Sequence, residues 1–192
     1  MKIDKAEMSL VASNSSEVLG STRTALAPLQ RAIRSHNQLF IFFCGNPARG
    51  DDSAGYLLYE TLKSTHNQLI KNNKLNIIYD HQWQIEDALE LKREGLFLFV
   101  DASARPGPPI CLSAITTAQN IASTSHSLSP SQLLGVAAQV GIEPPEVLWQ
   151  LGITGYCFEL GAQMSPEVKL SCTFLIQVLD ELIEDWSAQW VP

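Results

Sequence analysis

No apolar run in this chain approaches the ~20 residues that a bilayer-spanning helix needs, so a membrane is not expected as a partner. Basic residues are scarce: 13 Lys and Arg stand against 20 Asp and Glu, for a formal net charge of -7. Nucleic acid and an anionic membrane surface both require a basic face, and the charge balance excludes either as the main partner. A cation, or a protein with a basic segment, fits better. Cysteines number four, Cys44, Cys111, Cys157 and Cys172, and no two form a C-x-x-C pair. Free thiols and a reducing compartment are expected. The start of the chain lacks a positive-then-apolar signal pattern, so a cytoplasmic location is expected. Also missing are the Gly-x-Ser-x-Gly elbow, the His-Glu-x-x-His zinc helix and both glycine-rich phosphate fingerprints. Their absence leaves no recognisable serine hydrolase, zinc protease or nucleotide-binding site.

What is present has the balance of a folded domain, with 45% hydrophobic and 17% charged residues. Residues 1–36 are polar and weakly patterned, with Ser13-Asn14-Ser15-Ser16 and Ser21-Thr22. They read as an N-terminal extension, in part disordered, with Arg31-Ala32-Ile33-Arg34 closing a short amphipathic helix. Residues 37–192 read as a single α/β domain. Leu39 to Cys44 predicts a first strand. Ala54, Leu57, Leu58, Thr61 and Leu62 then mark one face of a helix. Leu75 to Tyr79 predicts a second strand, and Ile85, Ala88 and Leu89 a second, shorter helix. Leu96 to Val100 is continuously apolar, the mark of a strand covered on both faces. Arg105-Pro106-Gly107-Pro108-Pro109 makes a rigid turn. The connection is too short for a crossover helix, so Ile110 to Ile115 is predicted to be an antiparallel edge strand. Ser129-Pro130-Ser131-Gln132 carries a capping box and a proline suited to a first helical turn. That helix is expected to bury Leu133, Leu134, Ala137 and Val140. Val147 to Ile153 predicts another strand. Ser165-Pro166-Glu167 opens a last helix with Val168, Cys172, Leu175, Ile176, Leu179, Leu182, Ile183 and Trp186 on one stripe. The sum is a three-layer α/β sandwich: a twisted, mainly parallel sheet with helices on both faces.

The most informative stretch is Gly45-Asn46-Pro47-Ala48-Arg49-Gly50-Asp51-Asp52-Ser53-Ala54-Gly55, between the first strand and the first helix. In an open α/β sheet such a turn lies at the carboxyl end of its strand, where these folds place ligands. The third strand ends in Asp101, and His126 precedes the capped helix. The carboxyl ends of parallel strands share one edge, so Asp52 and Asp101 are expected side by side, with the His126 loop dropping over them. Two carboxylates and an imidazole suit a divalent first-row metal such as nickel or zinc. Simpler roles compete: Asp51 as a helix cap, Asp52 as an anion at the positive helix end, and Asp101 as a turn former.

In these same segments the chain resembles the maturation endopeptidases of [NiFe]-hydrogenases. The Gly-Asn turn and acidic pair match Gly45 to Gly55. The apolar-Asp-Ala strand end matches Phe99-Val100-Asp101-Ala102. The His-x-Leu segment matches His126-Ser127-Leu128. The tail pattern matches Gly152-Ile153, Glu159-Leu160-Gly161 and Met164-Ser165-Pro166-Glu167-Val168. The likeness covers roughly residues 38–186. It implies a hydrolase that removes the C-terminal extension of the hydrogenase large-subunit precursor after nickel insertion. It also implies that Asp52, Asp101 and His126 act as catalytic and metal-contacting groups, with Gly45, Asn46, Asp51 and His81 touching substrate. The nickel would be carried by the substrate, and no organic cofactor is implied. Two departures stand out. Asp52-Ser53 replaces the common Asp-Gly, and Asp80-His81-Gln82-Trp83-Gln84 replaces a Gly-Gly-Thr-like segment. The second resembles the branch serving cytoplasmic, NAD(P)-linked hydrogenases.

The sequence offers no convincing nucleophile. Cys44 with His126 would make a Cys-His pair, but Cys44 ends a very apolar strand, where thiols are packing groups. A non-catalytic, nickel-dependent chaperone for the precursor is the alternative of a different class.

Overall fold

The five strands owe their positions to how many of their faces are covered. The structure, a computed structural model, describes residues 5–92, 94–116 and 128–190. Strand β1 (Leu39–Cys44) is buried at all six positions. Its odd-numbered residues Leu39, Ile41 and Phe43 enter one core, and Phe40, Phe42 and Cys44 enter the other. A strand sandwiched between two apolar layers loses the usual alternation, which is why its sequence is unbroken Leu-Phe-Ile-Phe-Phe-Cys. Strands β2 (Leu75–Asp80), β3 (Leu96–Ser103), β4 (Ile110–Thr116) and β5 (Val147–Thr154) complete one sheet of order β2-β1-β3-β5-β4. β4 is antiparallel to β5, and the other pairings are parallel. The expected fold class, including the antiparallel edge strand, is borne out.

One face of the sheet is covered by α1 (Lys5–Ile33), α2 (Ala54–Thr65) and α5 (Pro166–Ser187). A short helix, α3 (Asn67–Lys71), leads from α2 into β2. The opposite face is covered by α4 (Pro130–Gln139) and a 3₁₀ turn at Ile85–Glu90. There β1 and β3 meet through aromatic pairs set by their register. Phe40 and Phe97 stack with centroids 4.7 Å apart, as do Phe42 and Phe99. Trp83 meets the edge of Phe99 at 5.1 Å. Among the described residues no helix is long and apolar enough to cross a membrane.

Several expectations are corrected. The N-terminal segment was expected to hold only a short amphipathic helix near Arg31–Arg34, but residues 5–33 are one helix. Leu26, Leu29 and Ile33 enter the same core as α5. Trp186 Nε1 donates to the carbonyl of His36 at 2.8 Å. The pair Arg23–Glu181, 2.7 Å apart on the surface, adds under about 1 kcal/mol, so apolar burial holds α1 down. The predicted second helix is a 3₁₀ turn that buries Ala88 and leaves Ile85 and Leu89 exposed. Leu57 and Val140 are also exposed rather than facing the core. The capping box at Ser129 and Gln132 forms as expected. Ser165 precedes α5 as expected, but its hydroxyl caps nothing. All four cysteines are free, and Cys111 on β4 is exposed.

Candidate functional site

At the carboxyl end of β1 the chain must turn sharply beneath α2. Gly45 has φ 138°, a left-handed value that favours glycine, and a Cβ there would strike the Asp52 carbonyl oxygen. Gly55, in the first turn of α2, lies so close to β1 that a Cβ would strike the Cys44 carbonyl oxygen. These two glycines let the turn fold back over the strand end. The backbone N–H of Ala48 donates to Asn46 Oδ1 at 2.9 Å, and Asp52 N donates to the Arg49 carbonyl at 3.0 Å. Asp52 Oδ2 accepts from Asn46 N at 2.9 Å. The turn therefore fixes the carboxylate of Asp52 through its own backbone. Tyr79 on β2 steadies it from the side, its hydroxyl donating to the Gly45 carbonyl at 2.9 Å.

The two adjacent acids have separate positions. Asp51 is fully buried. Its Oδ2 accepts from Tyr156 N at 2.7 Å and Cys157 N at 2.9 Å. Its Oδ1 accepts from Ser165 N at 2.6 Å, and Ser165 Oγ donates to Oδ2 at 3.0 Å. Burial opposes ionisation of this carboxyl, but the donors outweigh it, and its pKa lies below the usual carboxylate value. Asp51 thus fastens the segment before α5 to the turn after β1, and the hydroxyl of Ser165 serves that bond. Asp51, expected to touch substrate, is placed by the structure on these backbone donors instead. It does not line the cavity, and neither oxygen is free to reach a ligand.

Asp52 does line a cavity of about 620 Å³ at the carboxyl edge of the sheet, and so do Asp101, Asn46 and His81. Phe43 of β1 is level with Val100 of β3, so Cys44 is level with Asp101. Cys44 also pairs with Asp80 on β2. Parity then puts Asp80, Cys44 and Asp101 in one row on the Phe42–Phe99 face. The pKa of Asp101 is pushed up to about 7, first by burial and next by the negative charge of Asp52, with a bond from Ala102 N–H pulling the other way. Two carboxylates that line one cavity and feel each other's charge are the oxygen-donor type that suits a cation.

The thiol of Cys44 forms part of the cavity floor and donates to the His81 carbonyl at 3.6 Å. Burial, then Asp101 and Asp52, drive its pKa well above the ordinary thiol range. It is a poor thiolate. The remaining wall includes Gln82, Trp83, Arg49, Phe158 and Leu128. Arg49 Nε donates to the Phe158 carbonyl at 3.2 Å, a link across the cavity rim that sequence reasoning missed. Arg49 belongs to the Gly45–Gly55 turn, but nothing local marks Phe158. Gly45 supports the turn rather than the wall. His126 lies outside the described residues; Leu128, two positions later in sequence, lines the cavity. Among the described residues no group of three His, Cys, Asp or Glu is arranged to hold a metal ion.

No family model matches the sequence, and no curated protein matches it. Solved structures do. The chain superposes on a [NiFe] hydrogenase maturation protease, HycI, of Thermococcus kodakarensis KOD1, with a TM-score of 0.64 and 20% identity over 82% of this chain and 99% of that one. The hydrogenase maturating endopeptidase HybD of E. coli matches with a TM-score of 0.52 and 17% identity, over 77% and 93% of the two chains. A hydrogenase 2 maturation peptidase from Thaumarchaeota archaeon SCGC_AB-539-E09 matches with a TM-score of 0.52 and 20% identity, over 76% and 97%. The chain therefore has the α/β fold of solved hydrogenase maturation proteases.

Proposed function

We propose that this chain is an endopeptidase that removes the C-terminal extension of a [NiFe]-hydrogenase large-subunit precursor once nickel is in place. The observation that carries the reading is the convergence of Asp52 and Asp101 on one cavity at the sheet edge. The shared fold and the ordered motifs support it independently. In this reading the precursor brings its own nickel. Asp52 and Asp101 take open positions on it, and His126 is the third contact. The bound geometry sets the scissile peptide bond in the cavity. Water then adds across that bond, releasing a carboxylate and an amine, with either the carbonyl polarised or the water activated at the metal. The chemistry is that of a peptide hydrolase without a covalent intermediate. His81 and Gln82 on the wall are consistent with a substrate from a cytoplasmic, NAD(P)-linked hydrogenase.

The deciding experiment mixes the purified chain with nickel-loaded or nickel-free precursor and follows loss of the extension by mass. Cleavage of the loaded form alone is expected. Equal cleavage of both would refute nickel recognition. Tight binding of the loaded precursor without cleavage would mark a non-catalytic chaperone instead. The buried, protonated thiol gives a second expectation: Cys44→Ala should process the precursor at a rate within about twofold of the native chain. A loss of a hundredfold would make Cys44 the nucleophile.

A further inference from the structure

We infer that the open edge of β2 binds an extended segment of the protein substrate as a sixth strand, leading its scissile bond into the cavity. The inference rests on the endopeptidase reading and adds the route by which the polypeptide enters. β2 lies at one end of the sheet, with β1 as its neighbour. Leu39 N donates to the Lys74 carbonyl at 2.9 Å, and Gly45 N donates to the Asp80 carbonyl at 3.2 Å. Even-numbered residues of this segment therefore turn their backbone toward β1. Leu75, Ile77 and Tyr79 turn theirs outward.

Proteins usually blunt such an edge with proline, a bulge or charge. β2 reads Leu-Asn-Ile-Ile-Tyr-Asp, with no proline and no charge before its last residue. α3 is tied to the start of the strand, where Lys74 N donates to the Leu69 carbonyl at 3.0 Å. Ile77 and Tyr79 are half-buried. An edge of this kind is a template for an added strand.

The occupant follows from where the edge leads. β2 ends at Asp80, and the next two residues, His81 and Gln82, are cavity wall. A row of rings borders the same path: Tyr59 stacks on Tyr79 at 5.1 Å, and Tyr79 meets His81 at 5.8 Å. The opposite edge strand, β4, contributes no residue to the cavity. A chain paired along β2 would thus pass directly to Asp52 and Asp101. Backbone bonds would hold it with little regard to its sequence, leaving the cavity to choose the bond that is cut.

The test uses Ile77→Pro, which removes an outward N–H and no bond to β1, and Ile77→Val, which keeps the N–H. With nickel-loaded precursor, Ile77→Pro should raise KM about fivefold with kcat within about twofold, and Ile77→Val should match the native chain. Amide hydrogen exchange on the unmutated protein supplies a second reading that holds even if the proline variant misfolds. Loaded precursor should slow exchange at Ile77 and Tyr79. Unchanged exchange at both amides would overturn the inference, as would a normal KM in a folded Ile77→Pro. Slowing that appears without precursor and grows with protein concentration would show a second copy on this edge, and would also overturn it. If the native chain binds but does not cut, the endopeptidase reading fails, yet slowed exchange at Ile77 and Tyr79 would still place the partner on β2.

Discussion

Asp101→Asn should abolish processing and yet yield a more stable protein. The carboxyl of Asp101 ionises reluctantly because it is half-buried and faces Asp52. Its pKa is about 7 in the folded chain, against roughly 4 for an unperturbed aspartate. The sign follows from that order. Below pH ~4 the side chain is protonated in both states and costs nothing. Between there and about 7 the unfolded state releases its proton more readily, so folding loses stability as pH rises. Above that window the loss is complete. The asparagine variant escapes it and should gain roughly 1–2 kcal/mol at pH 8, after discounting for partial exposure. The gain should vanish near pH 4, which thermal melts at the two pH values would show. Activity should meanwhile fall by roughly 100-fold or more, because a neutral amide is a weak cation ligand. Asp52→Asn and His126→Ala should also stop processing. A melting temperature unchanged at pH 8 would mean that no burial cost exists. Retained cleavage would remove Asp101 from the site.

The opposite result is expected one residue before Asp52. Asp51→Ala should destabilise the protein by about 3–5 kcal/mol, because three backbone N–H groups and one hydroxyl lose their acceptor in a buried place. Those donors belong to Tyr156, Cys157 and Ser165. Chemical denaturation at pH 7 measures the loss. The pH dependence is again fixed by sign. The folded pKa is depressed, so the stabilisation is fully present above the unfolded value of ~4. It is lost as pH falls through the still lower folded value. Native and variant proteins should therefore converge in stability only in strong acid. If Asp51→Ala melts like the native chain, the segment before α5 is held by something else. In the acidic pair, the first acid maintains the fold and the second lines the cavity.

That division shows what the sequence could and could not reveal. The acidic pair was visible, but both residues occupy one short turn and are chemically identical. Their roles are assigned by a segment over a hundred residues later, whose N–H groups select Asp51. Local spacing contains no trace of that choice. Elements whose cause is local were legible. Doubly covered strands announce themselves as unbroken apolar runs, as in Leu39–Cys44 and Leu96–Val100. The Ser129–Gln132 box is closed by residues three apart. By contrast α1 was misread, because Ser13-Asn14-Ser15-Ser16 has little helix propensity. Its helix depends on burying Leu26, Leu29 and Ile33 against the core, a long-range effect. The turn at Ile85–Glu90 was misread for the opposite reason. Its apolar spacing suggested a buried face, yet Asp87 and Ala88 are what it buries and the larger Ile85 and Leu89 stay in solvent. The meeting of Asp52 and Asp101 was foreseen from topology; the Arg49–Phe158 link across the rim was not.

The stacked phenylalanines of β1 and β3 have a further consequence. They lock the phase of two neighbouring strands, and with it which side of the sheet each residue meets. A shift of β3 by a single position would turn Phe97 and Phe99 out of their stacks. The same shift would swing Asp101 through the sheet and bring an inert valine, Val100, to the floor beneath Asp52. Misaligned molecules would therefore be silent rather than promiscuous, and the greasy interior would act as a proofreader for the chemistry proposed at its rim.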